Sequence, residues 1–283
     1  MMNPWSKEEV DAIVADYFSM LVGELQGKPY SKTAHRNRLV ETLSGRNAGA
    51  VQKKYHTISA ALTALGLPSI RGFKPLDNYQ ALLIEAIDAY LEAHPETADA
   101  LTAHARRPLS IPMQREFFFE AVVTDPPGRL GHGSGKKARL IRKIMKKYTF
   151  VKTEDGNADL KGAGKDFVFD FEQARLREEG FFEAARRVKC ISPDAGPAHP
   201  PYDILSYDEK EDPLFIKVKP TSCGIRFPFL LSAAELAFSA ANPDGYRLYR
   251  LFDFPESPRL FILKGRLHDR LRLTPESFTA RFA

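Results

Sequence analysis

Two hydrophobic periods divide this chain, and the break between them rules out a single continuous helical array. Val10, Ile13, Val14, Tyr17, Phe18, Leu21 and Leu25 recur at helical spacing, which predicts a helix that buries one broad face. Ser6 and Glu9 before this run have the spacing of a capping box, in which each side chain satisfies an amide of the first turn. Gly27 and Pro29 end the helix. Further helices are predicted over 31–43, 48–65 and 78–93, with a short one after Pro95. Gly66, Pro68, Gly72 and Pro75 mark the turns between them. From about residue 189 onward, short apolar runs (KCIS, YDILSY, LFIKVK, YRLYRLFDF, PRLFIL) alternate with turns, and a helix is predicted over 232–241. Strands framed by helices make this part α/β, with a mixed central sheet.

Pro108, Pro112, Pro126 and Pro127, with the glycine-rich GRLGHGSGKK, separate the two regions. The expected organisation is a helical domain over 1–105, a basic linker over 106–150 and an α/β domain over 151–283, with overall class α+β. The linker contains KKARLIRKIMKK, which has seven basic residues and no acid. Leu140, Ile141, Ile144 and Met145 give it an amphipathic helical pattern. It can lie along a nucleic-acid backbone, or it can be a helix with one solvated face. Another helix is expected over 159–179.

The net charge of +5 is a mild excess, weak evidence of a polyanionic partner. Cys190 and Cys223 lack metal-finger spacing, and a reduced compartment is the simpler reading. Without a signal-peptide pattern or a long apolar run, the expectation is a soluble, cytoplasmic protein with no membrane partner. In the helical half, Lys32, His35, Arg36, Arg38, Arg46, Lys53, Lys54 and His56 form a basic patch over two consecutive helices with a turn around 44–47. That arrangement is compatible with helix-turn-helix docking, and equally with an ordinary bundle bearing solvated lysines. Trp5 is expected to staple the first helix to the bundle.

The ordered fragments GAGKDFVFDFEQARL, RVKCIS, YDILSY, FIKVKPT, FPFLLSAAEL, YRLYRLFDF and PRLFIL resemble the nuclease-like domain of unknown function at the carboxyl end of many bacterial restriction and defence proteins. That domain belongs to the PD-(D/E)XK, restriction-endonuclease-like superfamily. The helical half resembles a segment often joined to it. The resemblance implies an aspartate at the start of one strand and an acid-x-lysine on the next. Alternate strand residues share a face, so acid and lysine reach one site. The carboxylates hold Mg2+, which activates water, and the lysine stabilises developing charge.

Mapped on this pattern, Asp203 takes the metal-binding first position and Lys219 the lysine position, while Lys217 stands where the acid belongs. Lys165 and Lys189 also replace acids that the family pattern has. A lone aspartate holds magnesium poorly. The expectation is therefore a nuclease-like fold that binds DNA with weak or no cleavage. Lys165, Lys189, Lys217, Lys136, Lys137, Arg36, Lys53 and Lys54 are its candidate phosphate contacts. One alternative is an active Mg2+-dependent endonuclease whose second carboxylate has moved, with Asp166, Glu172 and Asp208 as candidates and Asp203, Lys217 and Lys219 at the catalytic positions. Another is a protein-binding scaffold that uses the aromatic stretch EFFFEAVV. A homodimer stays open. Apart from the resemblance, Lys217 and Lys219 alternating with Ile216 and Val218 would mark a strand with one solvated face.

Overall fold

The computed structural model describes residues 4–43, 45–109, 122–128, 135–191 and 200–275. Ser44, Pro112, most of EFFFEAVV and of GRLGHGSGKK, and the Lys136 side chain lie outside them. The class is α+β, with a helical amino-terminal region and a sheet-containing carboxyl-terminal part. The chain forms two compact units. The first takes in 1–111, 127–160 and 221–230; the second takes in 112–126, 161–220 and 231–283.

The first unit contains α1 (Lys7–Leu25), α2 (Lys32–Thr42), α3 (Ala48–Ala64), α4 (Ala81–Ala93), α5 (Pro95–Ala105), α6 (Lys136–Met145) and α7 (Phe150–Asp155). The capping box of α1 is present: the Ser6 hydroxyl accepts from the Glu9 amide, and the Glu9 carboxylate accepts from the Ser6 amide. Every apolar residue predicted to face inward from Val10 to Leu21 is buried. Phe18, Ile58, Leu62 and Ile87 are all fully buried, and each contributes about 1.5–3 kcal/mol by leaving water.

Buried polar groups tie the helices together. Asp16 accepts from Tyr55 Oη at 2.6 Å and from Arg38 at 2.7 Å, and pairs with His35 Nδ1 at 2.8 Å. Tyr17 Oη lies 2.7 Å from Ser59 Oγ and accepts from the Ile70 amide at 2.9 Å, which fixes the turn after α3. The basic stretch read as a linker forms α6, and Ile144 of α6 is 1% exposed in this unit's core. The apolar stripe within the charge run therefore has a structural use.

The second unit contains most of α8 (Ala158–Glu178), then α9 (Phe182–Arg187), β1 (Lys189–Cys190), β2 (Ile204–Tyr207), β3 (Pro213–Pro220), α10 (Ala233–Ala241), β4 (Tyr246–Phe252), β5 (Arg259–Lys264) and α11 (Leu267–Arg270). The five strands form one sheet in the order β1-β2-β3-β4-β5. The β3–β4 pair is parallel and the other three are antiparallel, so the sheet is mixed. A parallel pair needs a crossover between its strands, and α10 lies in the intervening segment.

On one face of the sheet, Phe171 of α8 meets Tyr249 of β4 edge to face at 6.2 Å. Beside it Glu172, with no solvent exposure, accepts from Ser206 Oγ and Tyr249 Oη at 2.6 Å each and from Arg175 at 2.8 Å. These partners offset the cost of burying its charge. Glu172→Ala removes one of the two carboxylates on Arg175, which keeps Glu179 and Tyr207 O, and leaves two buried hydroxyls without their acceptor, so it is expected to cost about 2–4 kcal/mol, read as a lower urea midpoint. A change below ~1 kcal/mol would show that the carboxylate is structurally dispensable.

Candidate functional site

The antiparallel pairing of β2 with β3 determines what meets at the start of β2. Asp203 donates its amide to Ile216 O at 2.8 Å, and its Oδ2 accepts from the Val218 amide at 2.9 Å. Its side chain is thereby held beside Lys217 and is 2% exposed. On β3 the residues alternate, so Lys217 and Lys219 share one face while Ile216 and Val218 take the other. That lysine face is not solvated: Lys219 is 9% exposed. The solvated-strand reading of the alternation therefore fails, because the lysines have internal partners.

The partner that sequence reasoning missed is Glu235, in the first turn of α10. Its Oε2 accepts from the Ser232 amide at 2.7 Å, and its own amide donates to Ser232 Oγ at 3.1 Å, completing a capping box. Its Oε1 lies 2.9 Å from Lys219 Nζ and 3.3 Å from Lys217 Nζ. The signal was present in SAAEL as the serine-x-x-glutamate spacing of a helix start. The spacing announces a cap and says nothing of a charge partner across the sheet.

Lys217 Nζ lies 3.2 Å from both oxygens of Asp203 and 3.3 Å from Glu235, so one ammonium bridges two carboxylates. Lys165 of α8 reaches Asp203 Oδ1 at 3.1 Å. It does so beside Gly164, where a β-carbon would fall 2.8 Å from Pro220 Cβ; only glycine lets this helix approach the end of β3 so closely. Lys165, Lys217 and Lys219 against Asp203 and Glu235 leave a formal excess of one positive charge. Fully buried Tyr246 completes the surroundings, and its hydroxyl meets no hydrogen-bond partner among the described residues. Burial pushes the pKa of this phenol up, and the negative charges of Glu235 and Asp203 push it further, so it stays protonated.

Burial opposes ionisation of Asp203, but Lys217, the Val218 amide and Lys165 outweigh it and hold the carboxyl below its usual range. Glu235 is likewise opposed by burial and held down by Lys219, its cap and Lys217. Burial would discharge Lys217, yet Asp203 and Glu235 hold it above the ordinary lysine value. All three are charged at neutral pH. Cys190, near Lys165 and Asp203, has its thiol pushed up by burial first and then by the nearby aspartates. It stays protonated at neutral pH and is a poor nucleophile.

Magnesium requires near-octahedral oxygen coordination at about 2.0–2.1 Å. Asp203 and Glu235 are already bound to ammonium groups, and the Lys217 Nζ stands between them. This donor set does not fit the ion. Among the described residues, no group of three or more histidine, cysteine, aspartate or glutamate side chains could hold a metal ion. Of the three acids weighed as replacements, two are engaged by other partners and the third is exposed. Glu172 is enclosed by Arg175, Ser206 and Tyr249. Asp208 accepts from the amides of Lys210 and Asp212 in the β2–β3 turn, past the far end of β2. Asp166 is exposed on α8.

The remaining candidate cations are dispersed. Lys189 is exposed on β1. In the first unit, Lys137 donates to Tyr79 O at 3.2 Å and sits 4.3 Å from the Tyr79 ring centroid. Arg36 bonds the Asn37 side chain. Lys53 is exposed, whereas Lys54 lies 4.6 Å over the Trp5 ring. The third helix, α3, buries Val51, Tyr55 and 57–62, leaving Gly49, Gln52 and Lys53 as its exposed residues.

Residues 164–263 match the family model described as Protein NO VEIN, C-terminal. The match takes in Lys165, Asp203, Lys217, Lys219 and Glu235, and leaves out the helical amino-terminal region. Comparison with curated proteins and with solved structures gave no match. No helix among the described residues is long and apolar enough to cross a membrane.

The ion network sets a pH dependence. Lowered carboxyl values stabilise the fold above the ordinary values of 3.8 for Asp203 and 4.5 for Glu235, and this contribution is lost as pH falls through the folded-state values. The raised Lys217 contributes below its ordinary 10.5 and loses that contribution as pH rises through its folded-state value. Urea midpoints are expected to fall on the acid side with a slope that Asp203→Asn makes shallower. An unchanged acid slope in that variant would show that Asp203 is not held below its usual range.

Proposed function

We propose that this protein is a DNA-associated protein of the bacterial defence type, whose second unit is a nuclease-like PD-(D/E)XK domain that binds DNA with weak or no cleavage. The observation that carries this reading is the Lys217 ammonium between Asp203 and Glu235, at the place where a cleaving relative would hold its divalent ion. An ammonium neutralises the two carboxylates but brings no open coordination position, polarises no phosphate and lowers no water pKa. The residual positive charge, partly exposed Lys165 and exposed Lys189 suit a phosphate backbone, whose neutralisation releases counterions and needs no base-specific contact. The match over 164–263 supports the reading, since it covers the whole cluster.

A second reading, a metal-dependent endonuclease with a displaced carboxylate, draws on Glu235. It is a second buried acid joined to Asp203 through one shared lysine. Under that reading Lys217 must leave its two partners before a metal ion can enter.

Plasmid DNA with Mg2+, Mn2+ or chelator, resolved on gels, separates the two. The expected result is a shift that weakens steeply with salt, ignores metal and leaves the plasmid uncut. Lys217→Glu, which places a third carboxylate in the cluster, is expected to acquire measurable Mn2+ affinity. Metal-dependent cutting by the natural sequence, abolished by Asp203→Ala, would overturn the proposal in favour of the second reading.

A further inference from the structure

A cavity of about 240 Å3 in the first unit is lined by Pro4, Trp5, Arg46, Lys53, Lys54 and Tyr79, with Ala50, Thr57, Asn78 and Gln80 completing its wall. Its lining combines three chemistries. Pro4, Trp5, Ala50 and Tyr79 form an apolar, largely aromatic wall. Arg46, Lys53 and Lys54 are cationic, and none of the lining residues is acidic. Asn78 and Gln80 add side-chain amides, each with a donor and an acceptor.

The positive charge is only partly compensated. The Arg46 guanidinium is bound by Glu9 through two hydrogen bonds at 2.7 Å and lies 4.5 Å over the Trp5 ring. Its position is therefore fixed by a carboxylate outside the cavity wall. Neither Lys53 nor Lys54 pairs with a carboxylate among the described residues. Lys54 is held over Trp5 at 4.6 Å, with its pKa pushed below the ordinary lysine value by burial and by Arg46, which Glu9 offsets only in part. A cation kept partly buried beside another cation is stabilised by any anion that enters.

We infer that this cavity takes one nucleotide unit, with its phosphate on Lys53 and Lys54, its base against the Trp5 and Tyr79 side, and the base edge within reach of Asn78 and Gln80. The size argues for one unit: the volume falls below the roughly 300–1,000 Å3 of sites that enclose drug-sized ligands. A bare phosphate would leave the aromatic wall unused, and an uncharged aromatic ligand would leave Lys54 with only the partial compensation that Glu9 gives. Amide side chains pair with base edges, and aromatic rings accompanied by cations suit single nucleotides of a strand, with the cations over Trp5 and Tyr79 drawn toward the entering phosphate. The inference deepens the DNA-associated reading and rests on it for a strand, rather than a free nucleotide, as the natural source.

Trp5 is the single tryptophan of the chain, so its emission reports on this cavity in the unmodified full-length protein. It is titrated with deoxyadenosine monophosphate, inorganic phosphate and a short single-stranded oligodeoxynucleotide, while mobility shift follows DNA binding separately. Expected is a saturable change with mononucleotide and oligonucleotide, with inorganic phosphate weaker by roughly 5- to 150-fold, the worth of one base stack. Lys53→Glu combined with Lys54→Gln, its fold checked by circular dichroism, is expected to weaken both responses at least about tenfold. Binding of DNA without any Trp5 response overturns the cavity inference and leaves the DNA-associated reading standing. A Trp5 response to mononucleotide, with no binding of single- or double-stranded DNA, supports the cavity as a free-nucleotide site and sinks the DNA-associated reading. Inorganic phosphate binding as tightly as mononucleotide overturns the role given to the aromatic wall.

Discussion

Two carboxylates buried in one cluster cannot both stay ionised without counter-charge; Lys217 is shared by Asp203 and Glu235, with Lys165 adding to it for the first and Lys219 for the second. Most of what surrounds the sheet face depends on that contact. It keeps three ionised groups inside a unit with little water, and it joins the start of β2 to the first turn of α10. It also commits the site electrostatically. A divalent cation and an ammonium compete for the same oxygens, and the ammonium is tethered to the strand between them. With Lys217 between them, the two acids and three lysines form a closed ion network bearing one surplus positive charge.

Backbone geometry makes the network possible. The register of β2 on β3 aligns the Val218 amide with Asp203, and strand alternation then places Lys217 and Lys219 on one face. Gly164 lets α8 come within contact of Pro220, which brings Lys165 to Asp203. The Ser232 cap orients Glu235 by binding one of its oxygens and leaving the other for the two lysines. Each is a local device, and removing one alters the charge balance of the rest. The Glu172 cluster on the opposite face follows a different logic, with hydroxyls and a single arginine enclosing one acid. It reads as a structural tie between α8 and the sheet.

Much of the architecture was legible in the residues. The capping box at Ser6, the helix from 232, the apolar stripe from Val10 to Leu21 and the apolar strand runs all appear where their patterns place them. Asp203 and Lys217 were also legible as neighbours, since facing positions on paired strands follow from the family pattern. Glu235 was not, because its sequence signal is fully accounted for by a helix cap. Lys219 was misjudged by pattern alone: alternation predicts a shared face but cannot say whether that face meets water or an opposing helix. In the basic stretch 136–147, packing of Ile144 into the helical core accounts for the apolar stripe.

By itself, then, the sequence determined the α+β class, most helix starts and ends, the strand runs and the placing of Lys165, Lys217 and Lys219 on them. These depend on spacing and on interactions within a few residues. Only the tertiary structure decided which carboxylates those lysines meet, that α6 packs into the helical unit, and that Trp5, Arg46, Lys53, Lys54 and Tyr79 wall one cavity. Charge pairing and cavity formation depend on distances between residues far apart in the chain, and no local pattern records them.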